Sequence, residues 1–193
     1  MLKPNVFVTN VINVKNVINL EAHFFREYFG GKSPMKQQRI GLGYDIHPFE
    51  RGKQLTLGGV KIPFHMGLEG HSDGDCLSHS IIDALLGAAA AGDIGNMFGV
   101  DRPEYKNAVS LALLEKAWDT LKKTYRIANI DTVIICQEPK LGGYVQMMKK
   151  NIAAALGIKE SSVSVKSTTA KKLGEIGRVK AIASRAIVLL TKK

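Results

Sequence analysis

Asp45 and His47 flank Ile46, a carboxylate and an imidazole at positions i and i+2. On a strand both side chains leave the same face and can converge on one point. His79 follows on a stretch that reads as a helix and can supply a third group. Two imidazoles and one carboxylate, with a fourth position left open, are the ligand set of a catalytic zinc ion. A lone Asp-x-His is more often a surface pair, so spacing alone leaves both readings standing. His71 and Ser72 precede the same helix, whose N-terminus offers unpaired N–H groups and a positive dipole end to a phosphate. Ordinary capping by Ser72 or Asp73 is the competing reading. Val165 to Thr169 reads as a strand ending in hydroxyls beside Lys166. Thr168 and Thr169 there can hold phosphate oxygens, although threonine also favours strands for its own sake. Cys76 sits among His71, Asp73, Asp75 and His79, where a small buried core residue is the simpler reading than a ligand.

These groups need a scaffold, and the hydrophobic pattern supplies one. Residues 39–45 and 54–62 read as strands broken by glycine turns. Residues 75–87 carry Ile81, Ile82, Leu85 and Leu86 at helical spacing. Residues 107–123 place Leu111, Leu114, Trp118 and Leu121 on one helical side. A strand over 130–136, a helix over 144–156 ended by Gly157, and strands over 163–167 and 182–190 follow. This order predicts an α/β (α+β) fold, a mixed sheet of four-stranded type with helices packed on one face.

The chain has 193 residues, enough for one domain with a real core. Residues 1–34 differ from the rest. They are rich in asparagine and valine, and Met35 stands before Lys36 to Gly41 like a natural start. The expectation is an extension over 1–34, disordered, targeting or a mis-assigned start, and a single domain over 35–193. The location expected is the bacterial cytoplasm, or a plastid-type organelle if the extension is a targeting segment. No window reaches the roughly 18 apolar residues of a membrane span. The net charge is +10, but the lysines and arginines are scattered, which disfavours a nucleic-acid face and suits an anionic small substrate. Two cysteines, Cys76 and Cys136, are too few for a disulfide framework. Gly30 to Ser33 lacks the first glycine of a phosphate loop, Gly41-Leu42-Gly43 lacks the third glycine of a dinucleotide fingerprint, and Asp73-Gly74-Asp75 lacks the glutamate of a calcium loop.

Taken in order, the following blocks resemble the 2-C-methyl-D-erythritol 2,4-cyclodiphosphate synthase family: Gly43 to His47, Gly70 to Asp75, His79, Asp83 to Ala89, Gly92 to Gly95, Gln137 to Lys140, Lys166 to Thr169, Lys172 to Gly174, and Gly177-Arg178. The resemblance covers about residues 38–190. It implies a homotrimer with sites between subunits, no nucleic acid and no membrane. It implies zinc on Asp45, His47 and His79, with Asp45 and His47 also facing the substrate. His71, Ser72 and Thr169 would hold or stabilise the reacting diphosphate, His71 and Thr169 in catalytic roles. Asp93, Ile94 and Gly95 would hold the erythritol hydroxyls. Cys136, Gln137, Glu138, Pro139, Lys140, Leu141 and Gly142 would form a cytidine pocket, with Thr168 on the phosphates and Arg178 near the threefold axis. The substrate implied is a CDP-linked methylerythritol phosphate.

The chain departs from the family at several points. The glutamate that would bind a second cation, magnesium or manganese, is Lys171, in a register fixed by Thr168-Thr169 and Lys172-Leu173-Gly174. Gly99 to Arg102 replaces a Pro-Asp run, Val109 an acid before Ser110, Glu175 an apolar residue, and Val179-Lys180 a Gly-Glu type pair. Two other functions therefore stand beside the cyclase: a non-catalytic zinc-containing trimer that binds nucleotide or isoprenoid phosphate, and a basic nucleic-acid binder.

Overall fold

The computed structural model describes residues 37–99, 102, 105 and 108–193. The expectations for residues 1–34, Val100, Asp101 and Asn107 lie outside the described residues.

The main sheet has four long strands and a short fifth: β1 (Gln38–Arg51), β4 (Met66–Leu68), β5 (Tyr125–Ile135), β6 (Val163–Thr168) and β7 (Ala181–Lys192), in the order β4-β1-β7-β5-β6. The sheet is mixed: β7 runs antiparallel to both β1 and β5, while β5 and β6 are parallel. The three-residue β4 extends the expected four-stranded sheet by one edge strand. Residues 54–62 form a separate hairpin of β2 (Leu55–Leu57) and β3 (Val60–Ile62). Its turn residues Gly58 and Gly59 both have positive φ, which a two-residue turn matched to strand twist requires.

Helix α1 (Cys76–Ala89) packs against β1 and β7 and is almost wholly buried. Its cap is Asp75, not Ser72 or Asp73. Asp75 Oδ1 accepts from the amides of Ser78 (3.1 Å) and Gly58 (2.9 Å), and Oδ2 from the Gly59 amide (2.9 Å) and the Ser78 hydroxyl (2.8 Å). One buried carboxylate thus starts the helix and ties down the hairpin turn. The helix stops in a Schellman arrangement: Ala90 is left-handed and donates to the Gly87 carbonyl, and Ala91 donates to Leu86.

The other helices are α2 (Ile94–Phe98), α3 (Ser110–Leu121), α4 (Val145–Leu156) and the single turn α5 (Gly174–Gly177). α3 buries Leu113, Leu114, Ala117, Trp118 and Leu121, and α4 buries Met148, Ile152, Ala153 and Leu156. Together with α1 and the inward side chains Ile130, Ile134, Ile182, Val188 and Leu190 they make one core. Among the described residues no helix is long and apolar enough to cross a membrane.

β1 carries its alternation the unusual way round. The residues facing α1 are Gly41 and Gly43, and a Cβ at either would lie 1.9 Å from a helix carbonyl, Ala84 O or Ser80 O. The apolar residues Ile40, Leu42, Tyr44 and Ile46 point to the opposite face and are 73%, 67%, 48% and 43% exposed. Ile187 on the adjacent β7 is exposed there too, and the Arg185 guanidinium lies 5.5 Å from the Tyr44 ring centre.

Candidate metal centre

The glycines bring the helix close enough for strand and helix ligands to meet. Asp45 and His47 leave β1 on the α1 side, and His79 leaves α1 toward them. Asp45 Oδ2 lies 2.8 Å from His47 Nε2 and 3.0 Å from His79 Nδ1, and the two nitrogens are 3.2 Å apart. Among the described residues this is the only group of three such side chains with metal-ligand potential. Burial opposes the charge on Asp45, but hydrogen bonds and attraction from His47 and His79 outweigh it and hold the carboxyl well below the ordinary range. Burial likewise disfavours the His47 imidazolium, yet Asp45 and the Glu69 carbonyl outweigh it and raise its pKa.

The donor set fits a divalent cation. His47 Nδ1 donates to the Glu69 carbonyl, which turns Nε2 toward Asp45 and His79. That leaves three acceptor-capable atoms against one another, an arrangement that a cation satisfies at all three corners at once. Tetrahedral ligands about 2.0–2.1 Å from zinc would stand about 3.3–3.4 Å apart, close to the observed triangle. The position that the resemblance gives to a second cation does not fit one. Lys171 is exposed there with φ +53°, and a protonated ammonium has no lone pair for a metal.

A cavity of about 210 Å³ opens over the triad. Its polar end is Asp45, His47, His71, Ser72 and His79; its other wall is Ile94, Gly95, Phe98, Gly99, Tyr105 and Leu113. Burial pushes the Asp83 pKa up, and its carboxylate accepts from the Ile94 amide at 2.8 Å, which pins α2 to α1. Asp93 caps α2 through the Asn96 amide at 2.7 Å. Ile94 and Gly95 therefore reach the wall, while Asp93 is exposed at the helix start. A larger hollow of about 820 Å³ near Tyr125, Leu156 and Lys193 contains no such ligand cluster among its lining residues.

The remaining sequence-predicted residues lie elsewhere on the same sheet. Asp45 pairs with Ser184, Ser184 with Ile134, and Ile134 with Ser167. Three strand steps at about 4.8 Å put β6 about 14 Å from β1. Cys136 to Gly142 follow β5 in a loop held to β6, where the Cys136 amide donates to Thr168 O (2.9 Å) and Gln137 Oε1 accepts from the Lys172 amide (3.1 Å). Glu138-Pro139 is a cis peptide, and Leu141 is buried. Neither this loop nor Thr168 or Thr169 lines the cavity over the triad. Arg178 follows α5 and pairs with Glu175, both exposed. The helix N-terminus expected to cradle a phosphate is engaged instead: Asp75 takes the Ser78 amide, so a phosphate there would meet a buried carboxylate.

Two residues near the triad carry no sequence signal for the part they play. Ser110, wholly buried at the first turn of α3, lies 2.9 Å from His79 Nε2. Asp73 accepts from both the amide and the hydroxyl of Ser110. A serine opening a helix is too common for its type to mark it.

The sequence matches the YgbB family over residues 38–191. It is 50% identical over 153 residues to the 2-C-methyl-D-erythritol 2,4-cyclodiphosphate synthase of Moorella thermoacetica, covering 79% of this chain and 94% of that protein. The structure resembles IspF of Plasmodium falciparum in complex with CDP, with TM-score 0.71 and 42% identity, covering 83% of this chain and 99% of that one. It also resembles the bifunctional IspDF of Campylobacter jejuni, with TM-score 0.80 and 42% identity, covering 83% of this chain but only 44% of that larger protein.

Proposed function

The chain belongs to the YgbB family, and from that membership we propose that it converts 4-CDP-2-C-methyl-D-erythritol 2-phosphate to 2-C-methyl-D-erythritol 2,4-cyclodiphosphate and CMP. This is a lyase step of non-mevalonate isoprenoid synthesis. The observation that carries it is the convergence of Asp45, His47 and His79 under a cavity sized for part of a small phosphorylated substrate.

An oxygen of the 2-phosphate attacks the β-phosphorus of the same molecule. The bond from that phosphorus to the bridging oxygen breaks, and CMP leaves with the oxygen. Such a transfer needs alignment and charge neutralisation rather than a protein nucleophile. The ion we assign to the triad is zinc, which when bound supplies Lewis acidity at the β-phosphate. The chain's own residues hold the reactants. His71 and Ser72 reach the diphosphate from the cavity rim. Asp93, with the backbone of Ile94 and Gly95, takes the erythritol hydroxyls. Residues 136–142 receive cytidine, with Thr168 and Thr169 on the phosphates.

In one chain the two halves stand about 14 Å apart at the strand spacing of a sheet. We therefore assign the complete site to two neighbouring subunits of a homotrimer, joined through the exposed apolar face of Ile40, Leu42, Tyr44, Ile46 and Ile187. In this proposed trimer we assign Arg178 to the neighbourhood of the threefold axis.

A second reading rests on Lys171 and Lys172, adjacent left-handed lysines in the segment after Thr169. If the lysine charge does not replace a second cation, the protein is a zinc-containing binder without turnover. CMP release from the named substrate decides between them, measured with and without magnesium for this chain and for Lys171→Glu. Turnover without magnesium supports charge replacement. Turnover that depends strongly on magnesium in the unmodified chain removes that idea, and no turnover with zinc bound leaves the binder.

A further inference from the structure

We infer that Ser110, held by Asp73, is a positioning residue that fixes the tautomer and ring orientation of His79. The inference rests on the reading that the triad holds a divalent cation.

A serine hydroxyl has one proton and two lone pairs, and an ionised carboxylate only accepts. Ser110 Oγ donates to Asp73 Oδ1 and so spends its single proton there. The Ser110 amide donates to Asp73 Oδ2 at 3.2 Å, which closes a two-point grip on the start of α3. The loop bearing Asp73 is itself tied to this segment, because the Asp73 amide donates to Ala108 O at 3.2 Å. With its proton committed, Ser110 Oγ meets His79 Nε2 at 2.9 Å as an acceptor. Nε2 must therefore carry the hydrogen. In a neutral imidazole the other nitrogen, Nδ1, then holds the lone pair, and it faces Asp45 and His47.

Ser72 stands differently. Its hydroxyl lies 3.0 Å from His79 Nε2 and 3.2 Å from Ser110 Oγ, but it lines the cavity, whereas Ser110 is wholly buried. Because Ser110 already satisfies Nε2–H, Ser72 can turn its proton to a ligand without releasing the ring. The division of labour is a fixed buried hydroxyl and an exchangeable one.

Outer partners of metal-bound histidines commonly change metal affinity by about 10–100-fold when removed. The test uses the full chain, Ser110→Ala and Ser110→Thr. Zinc affinity is read by competition with a chromophoric chelator, and the His79 tautomer by two-bond proton–nitrogen NMR on metal-free protein. The expected result is an Nε2–H tautomer in the unmodified chain, mixed tautomers and about 10–100-fold weaker zinc binding in Ser110→Ala, and recovery of both in Ser110→Thr. A purely structural role would lower the melting temperature without moving the tautomer. An Nδ1–H tautomer in the unmodified metal-free chain overturns the inference even if Ser110→Ala does not fold. So does unchanged zinc affinity in a folded Ser110→Ala. Failure of the unmodified chain to bind zinc overturns the reading of the metal centre itself.

Discussion

Gly43→Ala tests whether the close approach of β1 and α1 is what makes the metal centre. The new Cβ would sit 1.9 Å from Ser80 O and 2.8 Å from the Ala84 amide nitrogen. An unstrained carbon–oxygen contact needs about 3.3 Å, so strand and helix must part by about 1.4 Å. Both atoms met are backbone, so no side chain can swing aside. Ser80 adjoins His79 on the helix, and Asp45 lies two residues beyond Gly43 on the strand, so the separation opens the triad directly. Metal sites tolerate about 0.2 Å in ligand distance, and a gap several times larger removes a ligand. We expect zinc affinity to fall more than the about 10–100-fold typical of a lost outer partner. Overpacking should also cost about 1–3 kcal/mol of stability. Gly87→Ala, on the same helix with nothing within 4 Å of the added carbon, is the control. It should gain about 0.5–1 kcal/mol from helix propensity and bind zinc normally. Chelator competition and thermal melts of the three proteins provide the readouts. Native zinc affinity and melting in Gly43→Ala would refute the reasoning.

Three further outcomes are expected. Val179 is β-branched yet has φ +61°, so Val179→Gly should stabilise the chain by about 1 kcal/mol; an unchanged or lower melting temperature would show that no strain resides there. In the proposed homotrimer Leu42→Glu would put a charge on the joining sheet face, where the side chain is 67% exposed in one chain, and should lower the light-scattering mass from three chains to one without unfolding; a persistent trimer would put the interface elsewhere, and a monomeric unmodified chain would remove the proposed assembly. Burial pushes the Cys136 thiol up to about 12 and Cys76 well above its ordinary value, so neither should react with a thiol reagent at pH 8 until denaturant is added, and fast labelling of Cys76 in the folded chain, followed by mass spectrometry, would contradict its placement.

The legible part of the site is the part with a short period. Asp45 and His47 share a strand face because strands repeat every two residues, and His79 sits on a helix marked by Ile81, Ile82, Leu85 and Leu86. Local pattern points the cap to Ser72 or Asp73, whereas Asp75 draws its partners from Gly58 and Gly59, well upstream, and no local pattern announces a buried carboxylate serving two elements. Ser110 and Asp73 escaped for the same reason, since they meet only once α3 packs beside α1. Ile94–Phe98 is a helix too short to show periodicity, and Asp83 holds it in place. The exposed face of β1 was open to view, as glycines alternate with Ile40, Leu42, Tyr44 and Ile46. Between Ile40 and Tyr44 the side that faces the helix carries only Gly41 and Gly43, opposite to the usual rule that apolar residues turn inward.

The strand at the heart of the sheet, β7, is the last of the sheet strands to be synthesised. β1 and β5 flank it and pair with it, not with each other. During synthesis β1 therefore waits, edge unpaired, while most of the domain is made, and an early stop before Ala181 would leave two half-sheets with nothing between them. The register of Asp45 and His47 is set against Ser184 and Ile182, so the triad gains its final alignment only once β7 has been made. A nascent chain stalled short of that point should present apolar strand edges to chaperones and proteases, giving the cell a way to discard it before it takes up metal.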